Sequence, residues 1–172
     1  RAIESHLAEV KTRDRRDAVQ AQLAKKPGVR VSSCPNETLN GLYSKRADHE
    51  GMPRYEKESG GAHLYFCEPL LHWLINSEFS SDQKSCQANI NATSGELPAG
   101  TQKWRCRVGD KRADREVTVE LLDAAALERA RQEQLVAQFV SRYGCGEGVA
   151  QSFLERHGWE PARAGVAYQH EA

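Results

Sequence analysis

The chain has 172 residues, room for one moderate domain or two small ones, and its apolar (39%) and charged (28%) shares are ordinary for a globular fold. The 24 Lys and Arg are matched by 24 Asp and Glu, so the basic surplus of a nucleic-acid binder is missing and nucleic acid is an unlikely partner on charge grounds. No stretch approaches the roughly 18 apolar residues of a membrane span, and the first residues contain no apolar core of the signal-peptide kind.

The chain starts at Arg1, which suggests an excised piece or a processed product. The spacings of Ile3, Leu7, Val10, Ala18, Val19 and Leu23 predict a helix over 2–24. Its middle, 11–17, is almost entirely charged, so its apolar stripe is thin and should lie across something larger. Lys26-Pro27-Gly28 ends it, because the residue before a proline is driven out of helical geometry.

From 29 to 121 the pattern changes to short aromatic and β-branched runs separated by turn residues. Strands are predicted at 29–33, 41–45, 53–57, 62–67, 72–76, 103–108 and 116–121. An irregular strand near 85–88 and a long loop over 89–100 come between the fifth and sixth. No helical crossover separates the strands, which argues for an antiparallel meander or small barrel over a parallel sheet. Alternation assigns faces. Leu64 and Phe66 point one way, with His63, Tyr65 and Cys67 opposite. Trp73 and Ile75 share a face, as do Trp104 and Cys106, and as do Val117, Val119 and Leu121.

Asn40-Gly41-Leu42-Tyr43 followed by Gly51-Met52-Pro53-Arg54-Tyr55 sets a cadence through the β region. It loosely resembles an uncharacterised small β module of protist and algal proteins, a resemblance that implies no activity.

After Asp123 the helical pattern returns. Leu127, Leu135, Val136, Phe139 and Val140 line a first helix that Gly144 ends. A second carries Val149, Ala150, Phe153 and Leu154 and stops at Gly158-Trp159. Pro161 opens a third, at the position where a missing amide hydrogen costs least. Over 133–169 these segments resemble the UBA-like branch of the ubiquitin-associated superfamily. The matching residues are Gln134 to Phe139, Val149 to Glu155, and Gly158-Trp159-Glu160 followed by Ala162, Ala164, Val166 and Tyr168. The resemblance implies a three-helix bundle and a protein partner. The family's exposed positions near the first loop and last helix fall on Tyr143, Cys145, Glu147, Arg163 and Tyr168. Gly144-Cys145-Gly146 replaces the Met-Gly-Phe/Tyr loop through which members hold ubiquitin, so the resemblance does not specify ubiquitin or a ubiquitin-like fold as that partner.

No phosphate loop, dinucleotide fingerprint, HExxH or GxSxG occurs. His63, Cys67, His72 and Cys86 are clustered soft ligands, but their spacing matches no zinc motif. The five cysteines are odd in number, widely spaced and without a CxxC pair. Free thiols and an intracellular compartment, cytoplasm or nucleus, are therefore expected. Tyr43, Tyr55, Tyr65, Trp73 and Trp104 form the alternative binding face, an aromatic sheet surface that could stack single-stranded bases, a glycan or a small ligand. The expectation is an α+β chain in three parts: an N-terminal helix (1–28), an antiparallel β domain (29–122) and a UBA-like helical module (123–172). Its expected function is non-catalytic, an adaptor or scaffold piece with no cofactor or metal. The other reading is an accessory subunit whose β domain binds a ligand.

Overall fold

The computed structural model describes residues 2–80 and 86–171 and divides into two compact units, 1–124 and 125–172. The first unit begins with helix α1 (Ala2–Leu23). Eight strands follow: β1 (Gly28–Ser32), β2 (Gly41–His49), β3 (Met52–Lys57), β4 (His63–Cys67), β5 (His72–Asn76), β6 (Ala88–Asn91), β7 (Gly100–Val108) and β8 (Lys111–Leu122). Each strand pairs antiparallel with the next, and β1 pairs with β8 through Val29↔Leu121, Arg30↔Glu120 and Val31↔Val119. The sheet is thus a closed up-and-down barrel with no free edge.

The short connections have physical causes. His49 faces Met52 across a two-residue turn in which Glu50 (φ 52°) and Gly51 (φ 76°) are both left-handed. That is the hairpin turn whose twist matches the strands it joins. Val108 faces Lys111 across Gly109-Asp110, a two-residue turn in which Gly109 (φ 60°) is left-handed.

Eight strands leave a lumen just wide enough for side chains to fill. Val29, Val31, Tyr43, Tyr55, Leu64, Phe66, Trp73, Ile75, Ala88, Trp104, Cys106, Val117 and Val119 are all buried in one cluster. The faces read from alternation are therefore the faces found; Leu121 packs half-buried against the cluster's margin.

Two expectations change. The irregular strand lies at Ala88–Asn91, not near 85–88, and residues 81–85 are outside the described residues. Ala88 and Asn89 pair with Cys106 and Arg105, so the expected loop over 89–100 is partly strand. Ala-Asn-Ile-Asn has little strand propensity; the hydrogen bonds of the neighbours on both sides hold it.

Both ends of the barrel are closed. In an up-and-down barrel alternate connections share an end, so the turns after β2, β4 and β6 lie together. Helix α1 crosses that end. Val19 and Leu23 are fully buried in the barrel cluster. Gln22 clamps the β6–β7 connection, its Nε2 donating to the Leu97 carbonyl (2.9 Å) while its Oε1 accepts from the Leu97 amide (2.8 Å). Arg15 pairs with Glu68 beyond β4. At the other end a 3-10 turn (Glu37–Leu39) brings down the buried Leu39, whose carbonyl accepts from the Tyr43 hydroxyl at 2.6 Å.

The second unit consists of α2 (Ala124–Tyr143), α3 (Glu147–Arg156) and α4 (Pro161–Glu171). Phe139, Ala150, Phe153, Leu154 and Ala164 form its buried centre. Among the described residues no helix is long and apolar enough to cross a membrane.

Candidate functional site

The three C-terminal helices have little interior, so aromatic rings do most of the joining. Phe139 of α2 lies 4.5 Å from the Tyr143 ring and 5.7 Å from Tyr168 of α4. Tyr168 meets Phe153 of α3 edge-on at 5.2 Å. The Tyr143 hydroxyl rests on Gly165, where a side chain of any other residue would collide with it. Gly144 (φ 68°) ends α2, its amide donating to the Val140 carbonyl at 2.8 Å.

The five residues expected to face a partner divide into two groups. Tyr143, Cys145 and Tyr168 pack half-buried against the core. Glu147 and Arg163 are exposed, and Arg163 pairs with Glu160 at 2.9 Å. Tyr143 and Tyr168 come together, 5.5 Å apart. Their rings are bound into the bundle, so their free surface is an edge and not a whole side chain.

A different feature was not foreseen. A groove of about 390 Å³ is lined by residues of α2 and α3 and by Trp159, with Val136, Ala137 and Trp159 as its apolar part and Glu133, Glu147, Gln151 and Glu155 as its polar part. Trp159 packs against the core yet stays half-exposed. Its backbone is left-handed (φ 61°), directly after Gly158 (φ 65°), and its amide donates to the Leu154 carbonyl at 2.7 Å. A bulky residue in that region is unusual and costs about 1 kcal/mol or more. One sequence signal for the groove existed: Glu147, Gln151 and Glu155 recur every fourth residue and stripe one face of α3.

The alternative β-face residues have another fate. Tyr43, Tyr55, Trp73 and Trp104 are 0% exposed and Tyr65 is 2% exposed, so none presents a ring face to solvent. The first four fill the lumen. Tyr65 points outward but is covered by Phe79, 5.0 Å away and edge-on, with the Arg54 guanidinium on that ring at 4.4 Å. Burial pushes the Tyr65 hydroxyl up to about 12.

Cys67 and His72 are direct cross-strand partners. Burial pushes the Cys67 thiol above its ordinary range, the opposite of an activated nucleophile. Among the described residues no three His, Cys, Asp or Glu side chains are grouped to share a metal ion.

Inside the barrel Cys34 and Cys106 meet thiol to thiol. The Cys106 thiol donates a hydrogen bond to the Cys34 sulfur, which with the Asn36 amide holds the Cys34 thiol down at about 7, while Cys106 itself is pushed up. Sequence spacing gave no sign of this pair.

Comparison with protein-family models, with curated proteins and with solved structures returned no match.

Proposed function

We propose that the chain is a non-catalytic protein-interaction piece of a larger assembly, an adaptor or scaffold element whose contact surface is the three-helix unit. We further read that unit as UBA-like. The observation that carries the proposal is the half-exposed Trp159 beside Val136 and Ala137 in an open groove. A unit of this size needs its large side chains for stability, and one held partly in solvent by a strained backbone suits contact with a partner. Val149 (45% exposed) and Val166 (57%) add apolar surface on the other two helices. The barrel, by contrast, keeps Tyr43, Tyr55, Phe66, Trp73 and Trp104 in its interior.

The test compares the full chain with a chain lacking 125–172 in affinity recovery of partners, with circular dichroism verifying that the barrel persists. Loss of the recovered partners on deletion is the expected outcome. Recovery of the same partners by the shortened chain would place the binding surface in the barrel or α1 and overturn the proposal.

A further inference from the structure

We infer that the α2–α3 groove takes a cationic segment of a protein partner. In it a Lys or Arg side chain lays its methylene stem along Val136 and Ala137 and its charged head between Trp159 and Glu155, and a second cation meets Glu147. The inference rests on the proposal that the helical unit is the contact surface, and it specifies the chemistry of what binds.

Charge is the first argument. The groove is lined by three carboxylates, Glu133, Glu147 and Glu155, against one guanidinium, Arg129. Arg129 and Glu133 are opposite charges one turn apart on α2, so their fields largely cancel. Glu147 and Glu155 have no such counterweight on α3. The unit's other arginines are engaged elsewhere: Arg131 with Glu128, Arg142 over the Tyr143 ring, Arg156 with Glu171 and over Phe153, and Arg163 with Glu160. Glu155 accepts a hydrogen bond from the Gln151 amide at 2.8 Å, which orients the carboxylate without neutralising it.

Position strengthens the argument at one end. Glu155 lies in the last turn of α3, at the end of the helix where the aligned peptide dipoles add negative potential. Arg156, which could offset it, is turned onto Phe153 and Glu171. Trp159 follows immediately. An indole face is the best aromatic partner for a cation, and a Lys or Arg stem is itself apolar. One side chain type therefore satisfies the apolar wall, the indole and the carboxylate together. The same field repels phosphate, which favours a protein segment over a nucleic acid.

Geometry sets a spacing. Glu147 and Glu155 are eight residues apart on one helix, about 12 Å along its axis. Two cations matching them stand four residues apart in an extended segment, at about 3.3 Å per residue, or about two turns apart in a helical one.

The test uses the full chain and two synthetic peptides, one with Arg at positions i and i+4 in an otherwise neutral sequence, the other with Glu at the same positions. Trp73 and Trp104 are fully buried, so a change in indole fluorescence, and in one indole N–H resonance, reports Trp159. The Arg peptide should shift that resonance and the amides of α3, and bind more weakly as salt is raised. E147Q/E155Q, which keeps shape and removes charge at exposed positions, should weaken binding by about tenfold, a few-fold for each exposed pair. Equal binding of the Glu peptide, an unchanged affinity in E147Q/E155Q, or shifts that miss Trp159 would overturn the inference. Those results leave the broader proposal standing if partners still depend on 125–172; partner recovery by the chain lacking 125–172 defeats that proposal separately.

Discussion

Phe139→Ala is the sharpest test of how the helical unit is held together. The Phe139 ring is 3% exposed and touches the Tyr143 and Tyr168 rings at 4.5 and 5.7 Å, so it joins α2 to α4. Truncating a buried phenylalanine costs about 3–5 kcal/mol, and each lost aromatic pair adds about 0.5–1.5 kcal/mol. The unit 125–172 has fewer than 50 residues. At roughly 0.05–0.15 kcal/mol per residue it has about 2–7 kcal/mol in all. The substitution should therefore remove most of its stability and leave the barrel, with a separate core, intact. Hydrogen exchange read residue by residue is the assay: amides of α3 and α4 should lose protection while those of β1, β4 and β8 keep it. Trp159→Ala is the internal control. Its side chain is only half-buried, so the cost falls to about 1–2 kcal/mol and the helices should stay protected. Unchanged protection in α3 and α4 after Phe139→Ala would refute the reasoning, as would equal effects of the two substitutions.

Three further outcomes follow from the same structure. Gly165→Ala forces the Tyr143 ring out of its seat and should destabilise the helical unit by about 1–3 kcal/mol, seen as a lower melting temperature for α-helical signal alone; a neutral result would mean that Tyr143 relocates freely. Tyr43→Phe leaves the buried Leu39 carbonyl without its 2.6 Å donor and should cost the barrel about 1–3 kcal/mol in urea unfolding; an unchanged midpoint would show that the bond contributes nothing. The Cys34 thiol, depressed in the fold from 9.0 to about 7, ionises in the folded chain first, so its stabilising effect grows as pH rises from about 7 to 9 and is lost as pH falls through 7. Cys106, pushed up, acts in the opposite sense above pH 9. The pair's contribution should therefore peak near pH 9, and Cys106→Ala should flatten the pH dependence of the urea midpoint; an identical slope in both proteins would count against the thiol contact.

The sequence by itself determined what is local. Period-two alternation put Leu64 with Phe66, Trp73 with Ile75, Trp104 with Cys106 and Val117 with Val119 on shared faces of their own strands, because successive strand side chains must point to opposite sides. Pro27, Gly144 and Pro161 marked helix ends, because proline fixes its own φ and lacks the amide hydrogen, while glycine takes the left-handed turn that ends a helix without strain. Tertiary structure decided what depends on pairing across the chain. Closure of β1 on β8 turned a sheet face into a lumen, and that closure buried the aromatic residues that alternation alone could equally have left as a binding platform. The strand at Ala88–Asn91 owes its existence to its neighbours' hydrogen bonds, which no propensity of its own announces. Cys34 and Cys106 meet only because a barrel's interior brings together residues remote in sequence. The groove beside Trp159 has the same origin: the acidic stripe was legible on α3, but its meeting with Val136 and Ala137 of α2 in one groove is a property of packing.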